Sequence, residues 1–242
     1  MTPRFSLCIP AYNEAALLPR LLDSVDVARK NFRGGAEAIE VIIGNNSSTD
    51  DTAAIARARG CVVVDVEKRA IAAARNGAAS AARGAILCYI DADSIVHPET
   101  FNQIADCMAT GRCSIGATGV KMERMSLGIA LTWLFMVPMT RVAGVDTGVV
   151  FCRREDFDAV GGYREQLIVA EDVDFMWRMK KLGRKRGAKF MRTPARAITS
   201  TRKFDRHGDW HYFAIMFGFP FRVIFSRAAA RKQVLAYWYN DR

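Results

Sequence analysis

At 242 residues with half of them hydrophobic, the chain is long enough to bury a sizeable core as one large domain, which excludes disorder as its main state. The net charge of +10 is uneven: residues 1–177 carry 18 Lys+Arg against 22 Asp+Glu, whereas residues 178–242 carry 17 against 3. A basic last quarter of this kind calls for a phosphate-bearing ligand, an anionic membrane surface or nucleic acid. Six scattered cysteines, none in a Cys-x-x-Cys pair, read as reduced core residues of a cytoplasmic protein rather than a zinc or redox site.

In chain order, Arg4–Pro10 reads as a first strand, and Ala15 to Lys30 as a helix whose apolar face is Leu17, Leu18, Leu21, Leu22 and Val25. The turn between them, Pro10-Ala-Tyr-Asn-Glu14, offers Asn13 as N-cap and a helix start able to draw phosphate. Glu40–Gly44 is a second strand, followed by the polar turn Asn45–Thr52 and a helix from Ala53 to Arg59. Cys61–Val66 gives a third strand, Ala70–Ala82 an alanine-rich helix and Ala85–Ile90 a fourth strand, apolar throughout as in the buried centre of a parallel sheet. Strands alternating with helices predict a mostly parallel α/β sheet covered by helices on both faces.

That fourth strand ends in Asp91-Ala-Asp93. Two carboxylates at the C-terminal rim of such a sheet stand where open α/β sheets bind ligands, and can share a hard divalent cation with a diphosphate; turn chemistry is the alternative for the pair taken alone. Beyond it come a helix from Pro98 to Ala109, a strand near Ile115 to Met122 and an apolar helix from Leu127 to Met139. That helix is too short to span a bilayer and is expected to be a buried core helix, with a membrane-dipping segment as the alternative. Strand character returns at Asp146–Arg153, a short helix ends at the glycine pair before Tyr163, and Glu171-Asp172 open a further helix. Acids at a helix start are stabilised by the dipole in any case, so capping accounts for them at this level.

Taken together, Ile9–Glu14, Asn45–Thr52, Ala74-Arg-Asn-Gly77, Asp91-Ala-Asp93 and Glu171-Asp172 resemble, in order and spacing, the motif set of the family 2 glycosyltransferases, over roughly residues 5 to 185. The resemblance implies the GT-A fold, a Rossmann-like mostly parallel sheet. It also implies a hexosyltransferase-like enzyme that moves a sugar from a nucleotide sugar, a UDP- or GDP-sugar, to an acceptor hydroxyl or phosphate with Mg²⁺ or Mn²⁺ and inversion. The domain would occupy residues 1–200, with a nucleotide-binding half at 1–95 and an acceptor half at 96–200, before a basic, aromatic, helical C-terminal extension at 201–242.

Carried over residue by residue, the resemblance puts Pro10, Ala11, Tyr12 and Glu14 at the base and ribose, Asp91 and Ala92 at the donor, and Asp93 with Asp91 on the cation. Asp172 would be the general base, with Glu171 as a second candidate. Arg69 and Arg75 either approach the nucleotide or are solvated helix charges. Asn45 departs from the family pattern, which has an aspartate there to accept from uracil; the amide oxygen still accepts but its nitrogen also donates, which leaves the nucleobase open. In the basic segment Thr199–His211, Arg202 is a candidate phosphate contact and His207 either a third metal ligand or a surface residue.

Further on, the apolar and aromatic run Tyr212–Phe225 and the cations after it suit an interfacial membrane anchor at the inner face of the membrane, packing onto the domain, or a partner subunit, a homodimer included. No nucleic-acid motif accompanies the charge, so nucleic acid is not an expected partner. The acceptor is unknown from sequence, although a lipid-linked or polysaccharide acceptor would suit the tail. A nucleotidyltransferase would want a Gly-rich basic loop after the first strand, which Pro10–Glu14 lacks. The remaining alternative is a catalytically idle sugar-nucleotide or membrane-surface binding module.

Overall fold

The computed structural model describes residues 2–167 and 170–210. The fold divides into two compact units, one of Met1–Lys121 with Asp146–Thr199, the other of Met122–Val145 with Ser200–Arg242.

The first unit is built on a seven-stranded sheet. In chain order, β1 (Phe5–Ala11) leads to α1 (Leu18–Asn31), and β2 (Ile39–Asn45) to α2 (Thr52–Ala58). Next, β3 (Val62–Asp65) leads to α3 (Ile71–Ala81), and β4 (Ile86–Tyr89) to the short β5 (Ser94–Ile95) and α4 (Thr100–Ala109). Then follow β6 (Cys113–Ala117) and β7 (Val120–Met122), α5 (Leu127–Ala143), β8 (Val150–Arg153), α6 (Arg154–Val160), α7 (Glu171–Lys185), β9 (Lys189–Arg192), β10 (Ala197–Thr199) and α8 (Arg202–His207), of which α5 and α8 belong to the second unit. The large sheet runs in the order β3-β2-β1-β4-β8-β6-β9, parallel except where β8 lies antiparallel to both β4 and β6; a small sheet runs β5-β10-β7.

Side-chain alternation on β1 sets up two buried layers. Phe5, Leu7, Ile9 and Ala11 join one core with Leu18, Leu21, Leu22 and Val25 of α1 and Phe101 and Ile104 of α4. Each such fully buried side chain contributes about 1.5–3 kcal/mol, which is why the apolar stripe of α1 dictates its placement. The opposite face receives α3, whose Ala72, Ala73, Ala74, Ala78 and Ala79 are buried. Alanines there let the helix lie close to the sheet: a Cβ on Gly44 would stand 2.1 Å from the carbonyl oxygen of Ala74. This close approach brings the next residue, Arg75, to the sheet rim.

The expected elements form, with local corrections. Asn13 is not an N-cap: α1 starts later, behind Leu17 with Pro19 in its first turn, and Asn13 instead takes a left-handed backbone, φ 52°, and binds the next loop. The strand expected over 115–122 breaks into β6 and β7 around Gly119, φ 70°. The apolar helix α5 is not a core helix, since among its residues only Gly128, Ile129 and Thr132 are buried. All six cysteines are free, five of them buried, as expected of core thiols. The expected anchor at 212–225 and most of the expected helical tail lie outside the described residues. Among the described residues no helix is long and apolar enough to cross a membrane.

Candidate active site

Parallel register places the ends of the first strands side by side. Ala11 pairs with Asn45, Asn45 with Asp65, and Cys8 with Tyr89, so the turns after β1, β2, β3 and β4 open on one rim. Such a rim, beyond the carboxyl ends of the strands, is the ligand-binding edge of an open α/β sheet.

Two of these turns are stitched together. The Asn13 N–H donates to Ser48 Oγ at 3.1 Å, the Thr49 N–H to Asn13 Oδ1 at 2.8 Å, the Glu14 N–H to Thr52 Oγ1 at 2.8 Å and the Ala15 N–H to Asp50 Oδ2 at 3.0 Å. Asp50 also receives the Thr52 N–H at 3.0 Å, and these bonds hold its carboxyl below the usual range although burial works the other way. Asn46 extends the lattice by donating to the carbonyls of Val66 at 3.1 Å and Lys68 at 2.6 Å, fixing the segment that carries Arg69. The Arg69 guanidinium then lies over the Tyr12 ring, 4.4 Å from its centroid.

Asn45 is oriented by its neighbours: its amide nitrogen donates to Asp65 Oδ1 at 2.7 Å and its oxygen accepts from the Ser48 N–H at 3.3 Å. Pro10, Ala11 and Ala92 are buried backbone-lining residues, Tyr12 and Asp93 are half-buried, and Glu14 is buried at 2 % exposure beneath the stitched turns.

Arg75 is the hub of the rim. Its Nη1 donates to Glu171 Oε1 at 2.8 Å and its Nη2 to Asp91 Oδ1 at 3.2 Å, linking α3 to the end of β4 and the start of α7. The guanidinium also stands 5.2 Å from the Tyr163 ring centroid, and that ring stacks on Phe175 at 4.1 Å. Burial disfavours the Arg75 charge, but Asp91, Tyr163, Glu171 and Asp172 around it more than compensate and its pKa is raised. Burial pushes the Glu171 carboxyl up, with Asp172 and Asp91 adding to the effect and Arg75 opposing it. Asn76 clamps the loop ahead of α7: it donates to the Tyr163 carbonyl at 2.8 Å and accepts from the Tyr163 N–H at 2.9 Å.

The rim therefore brings together Asp91, Arg75, Glu171 and Asp172, the last half-buried, its Oδ1 accepting from the Val173 N–H at 2.8 Å. Among the described residues three non-glycine residues hold left-handed backbones: Asn13 and Ser47 in the stitched turns, and Ala170 directly ahead of α7. Such strain concentrates at functional sites. Arg202 opens and His207 closes α8 in the second unit. Among the described residues no group of three or more His, Cys, Asp or Glu side chains is gathered to hold a metal ion; the carboxylates of Asp91 and Asp93 stand just beyond β4. Hard oxygen donors of this kind fit a cation that keeps its other positions for water and substrate phosphate. Sequence reasoning missed Asp50, Asn46, Asp65 and Asn76. Asp50 and Asn46 lay within the polar turn already singled out, and Asn76 within Ala74–Gly77, but their partners are distant in sequence.

Residues 6–135 match the family model for glycosyl transferase family 2. Over 196 residues the chain is 26% identical to glycosyltransferase AglE of Haloferax volcanii, a match covering 75% of this chain and 62% of that protein, so the chain spans less than two thirds of this relative. Among solved structures it resembles S. aureus TarS 1-349 in complex with UDP-GlcNAc, with a TM-score of 0.64 and 20% identity over 82% of this chain and 59% of that one. It also resembles the mannosyltransferase PcManGT from Pyrobaculum calidifontis, in complex with GDP-Man and Mn²⁺, with a TM-score of 0.64 and 18% identity over 83% and 57% of the two chains. A third likeness is to glucosyl-3-phosphoglycerate synthase from Mycobacterium tuberculosis with Mn²⁺, UDP and glucosyl-3-phosphoglycerate, at a TM-score of 0.60 and 17% identity over 89% and 79%. These likenesses give the first unit's sheet the GT-A fold, and with more than half of its residues matched by the family model, the chain belongs to glycosyl transferase family 2.

Proposed function

We propose that the chain is an inverting, divalent-metal-dependent glycosyltransferase that takes a sugar from a UDP- or GDP-sugar. The observation that carries this reading is the Arg75 hub, which joins the carboxylate at the end of β4 to the acidic start of α7 on one ligand-binding rim.

In this reading Tyr12 and Arg69 flank the nucleobase, and Asn45, held by Asp65 and Ser48, presents an amide edge to it. Pro10 and Ala11 form the wall of that pocket and Glu14 supports it from beneath the turns. Asp91 and Asp93, with Ala92 between them, hold the cation or the ribose. When bound, Mg²⁺ or Mn²⁺ supplies charge neutralisation on the leaving diphosphate.

Asp172 takes the proton from the acceptor hydroxyl as its oxygen attacks the anomeric carbon opposite the departing diphosphate, which inverts that centre. Glu171 is not free for the same task, because Arg75 occupies it at 2.8 Å. It positions Arg75, and through Arg75 the Asp91 carboxylate.

The test is calorimetric titration of the full chain with UDP, GDP, CDP and dTDP, each without metal, with Mn²⁺ and with Mg²⁺. Tight binding of one nucleotide that requires metal is expected. If no nucleotide binds under any of these conditions, the transferase reading fails and a binding module of another kind takes its place.

A further inference from the structure

Helix α5 belongs to the second unit and contains one charged residue, Arg141, in 17. Its first turns are held within that unit. A Cβ on Gly128 would come within 2.8 Å of the Asp209 carbonyl oxygen, and Arg124, just ahead of the helix, donates to Asp209 Oδ1 at 2.6 Å and to Asp205 Oδ1 at 2.7 Å. Gly128, Ile129 and Thr132 are the residues buried there.

The other side of the helix is apolar and open to solvent. Leu127, Leu134 and Val142 are 71%, 64% and 91% exposed and fall, with Pro138, on one stripe. At 1.5 Å per residue this stripe runs about 22 Å, and a stripe of this size is far more than scattered surface leucines need. A helix of 17 residues with a proline inside it does not span a bilayer. Its surroundings in sequence are basic: residues 122–145 and 200–242 together carry 10 Lys+Arg against 4 Asp+Glu.

We infer that the exposed stripe of α5 is an interfacial docking surface for an anionic lipid bilayer, with Leu127, Leu134 and Val142 entering the headgroup boundary and the unit's cations meeting the lipid charge. Apolar area and basic charge add in such binding. A second copy of the chain fits less well, because both copies carry the same positive excess in this unit.

The test is flotation of the full chain with phosphatidylcholine vesicles, with and without added phosphatidylglycerol. The chain is expected to float with the anionic vesicles only, and the double variant L134E/V142E to lose that binding by roughly tenfold or more, since both side chains leave the apolar phase. V27E, on an exposed valine of the first unit, controls for added charge and is expected to float as the unaltered chain does. Circular dichroism confirms that each variant is folded. Flotation of L134E/V142E equal to the unaltered chain, or no flotation of the unaltered chain, overturns the inference. So does a vesicle-independent dimer that L134E/V142E abolishes, because the face would then join two copies.

Discussion

Arg75 Nη1 and Glu171 Oε1 lie 2.8 Å apart, with both side chains nearly out of solvent at 11% and 10% exposure, and this pair ties α3 to α7 across 96 residues of sequence. Removing one partner of a buried ion pair leaves the other uncompensated. Arg75→Ala is therefore expected to destabilise the fold by about 3–5 kcal/mol. Arg75→Lys keeps the charge but not the fork that reaches Glu171 and Asp91 together, and is expected to cost about 1–3 kcal/mol. Urea unfolding of both variants checks the order; equal loss in the two would mean that the fork, not the charge alone, holds the pair together.

Asp172→Asn preserves shape and removes the proposed base. Transfer should fall by about 10²–10⁴-fold while calorimetric nucleotide binding stays unchanged. Asp93→Ala should do the reverse at the binding step, weakening metal-dependent nucleotide affinity. Undiminished turnover in Asp172→Asn would remove that assignment.

Asp50 joins the turn after β1 to the turn after β2 through the Ala15 and Thr52 N–H groups. Asp50→Ala leaves those donors without their carboxylate, and a loss of about 1–3 kcal/mol is expected. Because the same turns carry Tyr12 and Asn45, nucleotide affinity should drop with it. Calorimetry on the folded variant separates the two effects: an unchanged affinity would mean that the stitching serves stability alone.

Glu40 supplies a pH signature. Burial would raise its pKa, but the Ser6 hydroxyl at 2.6 Å, the Arg83 backbone N–H at 2.5 Å and the Arg83 Nε at 2.9 Å, with the Arg83 charge, outweigh burial and lower it. A carboxyl whose folded pKa lies below its unfolded value stabilises the fold above the unfolded value and loses that contribution as pH falls through the folded one. Unfolding free energy should thus decline on acidification below the ordinary glutamate range, and Glu40→Gln should flatten that decline while costing about 1–3 kcal/mol at neutral pH. A variant whose acid sensitivity equals that of the unaltered chain would contradict this.

Strand and helix periodicity by itself determined the β1–α1–β2–α2–β3–α3–β4 half of the molecule, because each apolar stripe there has one place to go. The motif set placed Asp91, Asp93 and Asp172 at strand or helix ends for the same reason: polar residues that interrupt a buried run must stand at its rim. The sequence did not reveal that Arg75 is shared by Glu171 and Asp91, and it left Arg75 open to a solvated role, because a helix charge reads the same whether its partners are near or absent. The apolar run of α5 misled in the opposite direction. Hydrophobicity alone cannot distinguish a core helix from an apolar face left open to solvent, and only the packing of Gly128, Ile129 and Thr132 decided which side of it is covered. Local periodicity is written within a few residues, whereas Asn13 reaches Ser48 and Asp50 reaches Ala15 across 35 residues, and Arg75 reaches Glu171 across 96. Chain-distant contacts of that kind come into being only when the sheet assembles.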